Sequence, residues 1–177
     1  MGNSKKVIVR NLGSVDFEES FKIQKQIQNE IIDIKLNNRK NNLNLSTPNY
    51  LLFMEHNHVY TLGNSGDDKN LLFNEKELDK KGIKFIKTNR GGDITYHGPG
   101  QLVCYPIFDL ENFYTDIHRY LRDLEEIIVG TLDHFGIVAF GNPNETGVWL
   151  EIGSKNERKI CAMGIKVSRW VTMHGLA

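Results

Sequence analysis

Apolar positions along the chain follow two rhythms, and the changes between them mark the elements. Residues 6–12 (KVIVRNL) are rich in β-branched side chains and predict a strand closed by Gly13. Asp16 followed by Glu19 has the spacing of a capping box, and Phe17, Phe21, Ile27, Ile31 and Ile34 trace one face of the helix it would open. From 37 to 49 the chain becomes Asn-rich and carries Pro48, which predicts that the helix frays into a polar loop. Residues 50–55 (YLLFME) read as a buried strand and 75–81 as a short solvated helix ended by Gly82. Residues 83–88 read as another strand, and 102–110, almost continuously apolar, as one covered on both faces. The clearest helical period runs through Ile117, Tyr120, Leu121, Leu124, Ile127, Ile128, Leu132 and Phe135. It predicts a packing helix that starts near Asp116 and stops at Gly136. A short strand over 137–140, a loop over 141–147 leading into 148–151, and a strand-like run over 158–169 complete the pattern.

The stretch between the strands at 83–88 and 102–110 is longer than a hairpin needs. It reads Arg90-Gly-Gly-Asp-Ile-Thr-Tyr-His97-Gly-Pro-Gly-Gln101. Gly91, Gly92, Gly98 and Gly100 free the backbone or let a ligand approach main-chain amides, while Pro99 stiffens the turn. Among them stand a permanent cation (Arg90), a phenol (Tyr96) and an imidazole (His97). Glycine pairs are also ordinary turn punctuation, but a long ordered loop on a scaffold tends to carry function, so the segment reads as the wall of a pocket. His56 and His58, at i and i+2 on an extended segment, could share a metal. With no third ligand nearby, they read instead as a strand-end turn whose Thr61 and Gly63 border the pocket. Further along, period two puts Lys159 on one face with Cys161, Met163 and Ile165. A lysine there either is desolvated and serves as a proton carrier or starts the strand and snorkels to water beside Arg158. Gly164, inside the same run, marks close backbone approach.

At 177 residues and 40% apolar content the chain can bury a core, and its length suggests a single domain over 1–177. Lys+Arg and Asp+Glu are both 22, so no charge excess favours nucleic acid or an acidic membrane face. The start, residues 1–10, has no apolar signal core, and Lys6 stands where a myristoylation motif needs Ser or Thr. No apolar run approaches membrane-spanning length. Two cysteines without metal spacing, Cys104 and Cys161, fit a reducing setting, so the expectation is a soluble cytoplasmic protein with no metal.

Taken together, RGGDITYHGPGQ, KICAMGIKVSRWVTMHGLA and the preceding EHNHVYTLGNSG resemble the lipoyl(octanoyl) transferases, in the family's order and over most of the chain. The resemblance implies an α/β (α+β) fold, a mixed sheet flanked by helices, like the catalytic core of biotin and lipoate protein ligases and class II aminoacyl-tRNA synthetases. It implies that Arg90, Gly91, Gly92, Asp93, Ile94, Thr95, Tyr96 and His97 line the substrate pocket. Ala162, Met163 and Gly164 would form a second wall, and Gly175, Leu176 and Ala177 a third. Lys159 would match the family lysine that lowers the pKa of a nucleophilic cysteine. That cysteine lies in a Pro-Cys-Gly setting after the His-Gly-Leu-Ala segment, past Ala177. The expectation is therefore a C-terminally truncated catalytic domain with negligible turnover by itself.

The activity implied is transfer of an octanoyl group from octanoyl-acyl carrier protein to a lysine of lipoyl domains, those of 2-oxo acid dehydrogenase E2 subunits and of the glycine cleavage H protein. The route would be a cysteine acyl-enzyme, and the thioester donor is already activated, so no cofactor is implied. Two other readings stand beside it. One is an ATP-dependent lipoate or biotin ligase, against which the His97-Gly-Pro-Gly-Gln101 continuation argues; the other is a non-catalytic module that binds acyl chains or lipoyl domains.

Overall fold

The structure, a computed structural model, describes residues 5–177; residues 1–4 of the start inspected for a targeting signal lie outside the described residues. Two compact units divide the chain, one running up to Thr115 and resuming over Gly164–Ala177, the other Asp116–Met163.

The first unit holds β1 (Val7–Ser14), α1 (Phe17–Asn41), β2 (Asn49–Glu55), β3 (Val59–Leu62), α2 (Glu75–Lys81), β4 (Lys84–Lys87), β5 (Ile94–His97) and β6 (Val103–Ile107). The second holds α3 (Ile117–His134), β7 (Phe140–Asn142), β8 (Glu145–Leu150) and β9 (Arg158–Cys161). The chain then enters β10 (Met163–Ser168) and β11 (Val171–Leu176). A five-stranded sheet is ordered β1-β2-β6-β11-β10, with β1 parallel to β2 and antiparallel pairing of β6 with both its neighbours. Period two explains its core: Leu52 and Met54 of β2 and Val103, Tyr105 and Ile107 of β6 share a face with Val171. Ile27 and Ile31 of α1 close over that face. All five residues of β6 are buried, as a strand covered on both sides requires.

Helix α1 departs from expectation at both ends. No side chain caps its start: the Asp16 carboxylate accepts instead from Asn57 Nδ2 at 2.7 Å, so the expected capping box does not form. At the other end the helix runs on through the Asn-rich stretch to Asn41, where Asn42 in left-handed geometry closes it. Alongside the apolar stripe lies a buried polar one, Ser20, Gln24 and Gln28, at four-residue spacing. Gln28 Nε2 donates to the Val171 carbonyl at 2.9 Å and Gln24 Oε1 accepts from the His174 N–H at 2.9 Å, so the helix is keyed to β11 by polar contacts as well as by packing. The β10–β11 hairpin turns on Arg169 and Trp170, both at positive φ (50° and 65°).

In the second unit, Asp116 caps α3 by accepting from the Arg119 N–H at 3.0 Å, and β7-β8-β9 form an antiparallel sheet. The helix buries less than its periodicity predicts. Tyr120, Leu124 and the Glu125 carboxylate are buried, but Ile127 and Phe135 are 61% and 72% exposed. Glu125 accepts from the Gly147 N–H and from Arg122, which makes a buried acid tolerable beside the apolar face. The strand expected at 137–140 begins only at Phe140.

Candidate active site

The central stretch is not one continuous loop. Its middle, ITYH, forms β5 and pairs antiparallel with β3, which pairs in parallel with β4. Directly paired residues share a face, so Val59, Thr61, Thr95 and His97 point to one side and Tyr60, Leu62, Ile94 and Tyr96 to the other. On the first side Val59, Thr61 and His97 are buried. On the second, Tyr96 is 40% exposed, lies 5.3 Å from the Tyr60 ring, and shares a 2.5 Å hydrogen bond with His58 Nδ1. The Tyr96 ring therefore stands on the face opposite Thr61 and His97. Of the expected wall, Thr95 and His97 share the inner face, while Ile94 and Tyr96 do not.

Arg90 organises the inner side. Its guanidinium is buried and donates to the Thr61 carbonyl (2.7 Å), Thr61 Oγ1 (2.9 Å), the Asp93 carbonyl (2.8 Å) and the Gly91 carbonyl (2.9 Å). Every one of these acceptors is neutral, and desolvation, opposed in part by the nearby Tyr105 and Asp93 side chains, lowers the Arg90 pKa from its usual value. The neighbouring turn crosses this loop: Asn64 N donates to the Arg90 carbonyl at 2.8 Å, and Gly63 and Ser65 donate to Asp93 and Gly92 at 3.3 Å. A Cβ on Gly63 would collide with the Gly92 carbonyl. Asp93 is spent on the frame too, its carboxylate accepting from the Ile94 N–H and from Asn70.

Of the residues expected in the second wall, Gly164 meets the same loop, and on β11 it is His174, ahead of the expected third wall, that reaches its start. Gly91 N donates to the Ile165 carbonyl at 2.9 Å, and Gly164 packs onto the Gly91 carbonyl. On β11, His174 holds a left-handed backbone (φ 61°), costing on the order of 1–2 kcal/mol for a residue with a Cβ. Its Nε2 lies 2.8 Å from Asn89 Oδ1, beside Arg90. Gly175 follows, its α-carbon set against the Cys104 carbonyl and Pro106. Leu176 pairs with Cys104, and Ala177 packs against the main core. Arg90, Gly91, Gly164 and His174 thus belong to one connected assembly, whereas Gly175 packs on Cys104 and Pro106 of β6. Asn89, Gln24 and Asn64 join it without having been read from the sequence; the four-residue repeat of Ser20, Gln24 and Gln28 was the available signal for one of them.

Two buried histidines are held neutral. His97 Nδ1 bonds Gln101 Oε1 at 2.7 Å, its ring stacks on Phe17, and burial pushes its pKa down to about 4. Burial, with Arg90 and Lys166 nearby, takes His174 down to about 3. His56 is buried as well, with one ring nitrogen 2.6 Å from the Val15 carbonyl and the other 2.8 Å from the Tyr105 hydroxyl. His58 is exposed and bonded to Tyr96, so the two histidines of the EHNH stretch do not share a face.

Lys159, Ala162 and Met163 belong to the second unit, and there Lys159 has a defined seat. Its ammonium lies 4.5 Å from the Trp149 ring centroid and 3.9 Å from a Glu145 carboxylate oxygen, and its side chain is 33% exposed. Gly147 opposes the stem, since a Cβ there would stand 3.2 Å from Lys159 Cδ and Cε. The apolar surface beneath this lysine is thus an indole of the neighbouring strand, and Lys159 reaches water rather than being enclosed. Both cysteines, Cys104 and Cys161, are buried and not disulfide-bonded.

The sequence matches the model of the lipoyl protein ligase A/B catalytic domain over residues 19–177. An octanoyltransferase of Flavobacterium johnsoniae is 57% identical over 174 residues, covering 98% of this chain and 75% of that protein. One of Christiangramia forsetii is 58% identical over 174 residues (98% and 74%), and one of Bacteroides fragilis 42% identical over 172 residues (97% and 75%). Among solved structures, P. falciparum LipL1 in complex with lipoate aligns with a TM-score of 0.68 at 17% identity, covering 97% of this chain and 47% of that one. The bipartite lipoate protein ligase of Thermoplasma acidophilum aligns with a TM-score of 0.62 at 18% identity (97% and 59%). The chain thus spans about three quarters of the length of these octanoyltransferases and about half that of the LipL1 chain, with which it shares the fold. The chain belongs to the lipoyl protein ligase A/B catalytic domain family, on its octanoyltransferase branch.

Proposed function

We propose that the protein transfers an octanoyl group from the thioester of octanoyl-acyl carrier protein to a lysine of lipoyl domains, in the assembly of protein-bound lipoate. The acceptors would be the lipoyl domains of 2-oxo acid dehydrogenase E2 subunits and the H protein of glycine cleavage. The observation that carries this reading is the seam at which Gly63 and Gly91, in loops, and Gly164, in β10, pack main chain against main chain beside the buried Arg90 guanidinium. The eight-carbon chain would add about 0.8 kcal/mol per buried methylene. Arg90, a buried cation whose hydrogen bonds go to neutral oxygens, favours negative charge developing on the carbonyl oxygen.

In the first step a cysteine thiolate attacks the thioester carbonyl, a new carbon–sulfur bond forms, and the carrier thiolate leaves with a proton from Lys159. In the second, the acceptor amine attacks the acyl-enzyme, the amide forms, the cysteine sulfur departs, and the amine's proton passes to Lys159. Cys104 and Cys161 are buried and fit the nucleophile poorly, so the role is assigned to the cysteine of the Pro-Cys-Gly setting that the family resemblance implies. Because the donor is a thioester, the reaction draws on no nucleotide. A cytoplasmic setting fits cysteines that are not disulfide-bonded, and among the described residues no helix is long and apolar enough to cross a membrane. The test is to supply the natural full-length protein with octanoyl-acyl carrier protein and a lipoyl domain, without ATP. An octanoyl amide on the lipoyl-domain lysine is expected; product formed only from free octanoate with ATP would make the protein a ligase.

A further inference from the structure

We infer that His174 is a positioning residue of the acyl-transfer site: as the Nε2–H tautomer it donates to Asn89 Oδ1 and so holds the Arg90 turn against the Gly175 wall. The inference rests on the proposed function for its kinetic readout, but not for its spectroscopic one.

Three observations converge on this side chain. His174 sits in β11 with φ 61°, a conformation that a residue with a Cβ adopts at a penalty, and the next residue is the glycine packed on Cys104. The residue is 1% exposed, and its ring hydrogen bond is the one from Nε2 to Asn89 at 2.8 Å; Nδ1 is buried with no partner among the described residues. A neutral ring whose bonded nitrogen faces a carbonyl oxygen carries its proton there, which fixes the tautomer. His97 is fixed the other way, with Nδ1 toward Gln101 Oε1, so the site contains two neutral imidazoles of opposite tautomer.

The surroundings keep this ring neutral from every side. Phe21 and Gln24 of α1 pack against it, the Gln24 carboxamide being tied to the His174 N–H, while Arg90 and Lys166 are the charged groups near it. Asn89 is adjacent to Arg90, whose carbonyl accepts from Asn64 and whose guanidinium spans Thr61 and Asp93. Removing the imidazole donor leaves the buried end of that turn without its tie to β11, and the effect should fall on acyl-donor binding rather than on the chemical step.

The first experiment is a long-range ¹H–¹⁵N spectrum of histidine-labelled full-length protein at neutral pH. It should show His174 protonated at Nε2 alone; a proton on Nδ1 overturns the assignment without any variant being made. The second compares His174→Gln, whose amide nitrogen reaches roughly the Nε2 position, with His174→Phe, which keeps the ring and loses the donor. For His174→Phe and for Asn89→Ala the octanoyl-donor KM should rise about tenfold with kcat within about threefold, and the double variant should be no worse than either. His174→Gln should stay within about threefold of the natural protein in both constants. Equal impairment of the Gln and Phe variants, or losses that multiply in the double variant, would show that His174 does not act through Asn89.

Discussion

Gly91 and Gly164 meet so closely that a Cβ on Gly164 would stand 2.6 Å from the Gly91 carbonyl oxygen. With the Gly91 N–H bonded to Ile165 at 2.9 Å, two stretches far apart in sequence share one backbone seam. The obstacle to a side chain is itself main chain and cannot swing aside. Gly164→Ala should therefore lower stability by about 1–3 kcal/mol in urea titration, as overpacking does. Gly130→Ala, in α3 with nothing within 4 Å of the new methyl, should raise it by about 0.5–1 kcal/mol.

Arg90→Lys keeps the charge and loses the fork. One ammonium cannot serve Thr61, Asp93 and Gly91 from three directions, so buried carbonyls are left without donors. The expected loss is about 2–3 kcal/mol, with faster amide hydrogen exchange confined to 61–66 and 89–93. Unchanged exchange in those segments would mean that the guanidinium is not what holds them.

Burial lowers the pKa of both His97 and His174, to about 4 and about 3. The unfolded chain then binds more protons than the folded one between those values and the ordinary histidine value near 6.5. Stability rises with pH through that window and falls as the pH drops from about 6.5 towards 4. For His97 the full effect is on the order of 3 kcal/mol. Urea titrations at several pH values should show this slope, and His97→Gln should reduce it to the part that His174 contributes.

Much of this organisation was legible in the residues, because strands and helices with an unbroken period announce themselves. β6 and the start of α3 follow their patterns. Less legible was β5: ITYH sits between glycine pairs and is too short to show alternation, and it becomes a strand only because β3 offers an edge. The Asp16 cap failed because Asn57, distant in sequence, competes for the carboxylate. Ile127 and Phe135 looked like core because periodicity reports which residues share a helix face, not whether anything covers it. At the site, the motif glycines were visible, whereas Gln24 and Asn89 were not, since their roles depend on where β11 places His174.

Gln28 supplies a prediction of this kind. Its amide donates to the Val171 carbonyl from a position that is 5% exposed, so Gln28→Leu should leave that oxygen without a side-chain donor and cost about 1–2 kcal/mol by thermal unfolding, despite the gain in apolar character. An increase in stability would show that the polar stripe on α1 is dispensable.

The most direct test is the intact mass of the full-length protein after brief exposure to octanoyl-acyl carrier protein, with no acceptor present. One octanoyl adduct should form on a cysteine, vanish when a lipoyl domain is added, and form about 100-fold more slowly in Lys159→Ala. An adduct that forms in Lys159→Ala at the unaltered rate, or no adduct while transfer proceeds, would contradict the account.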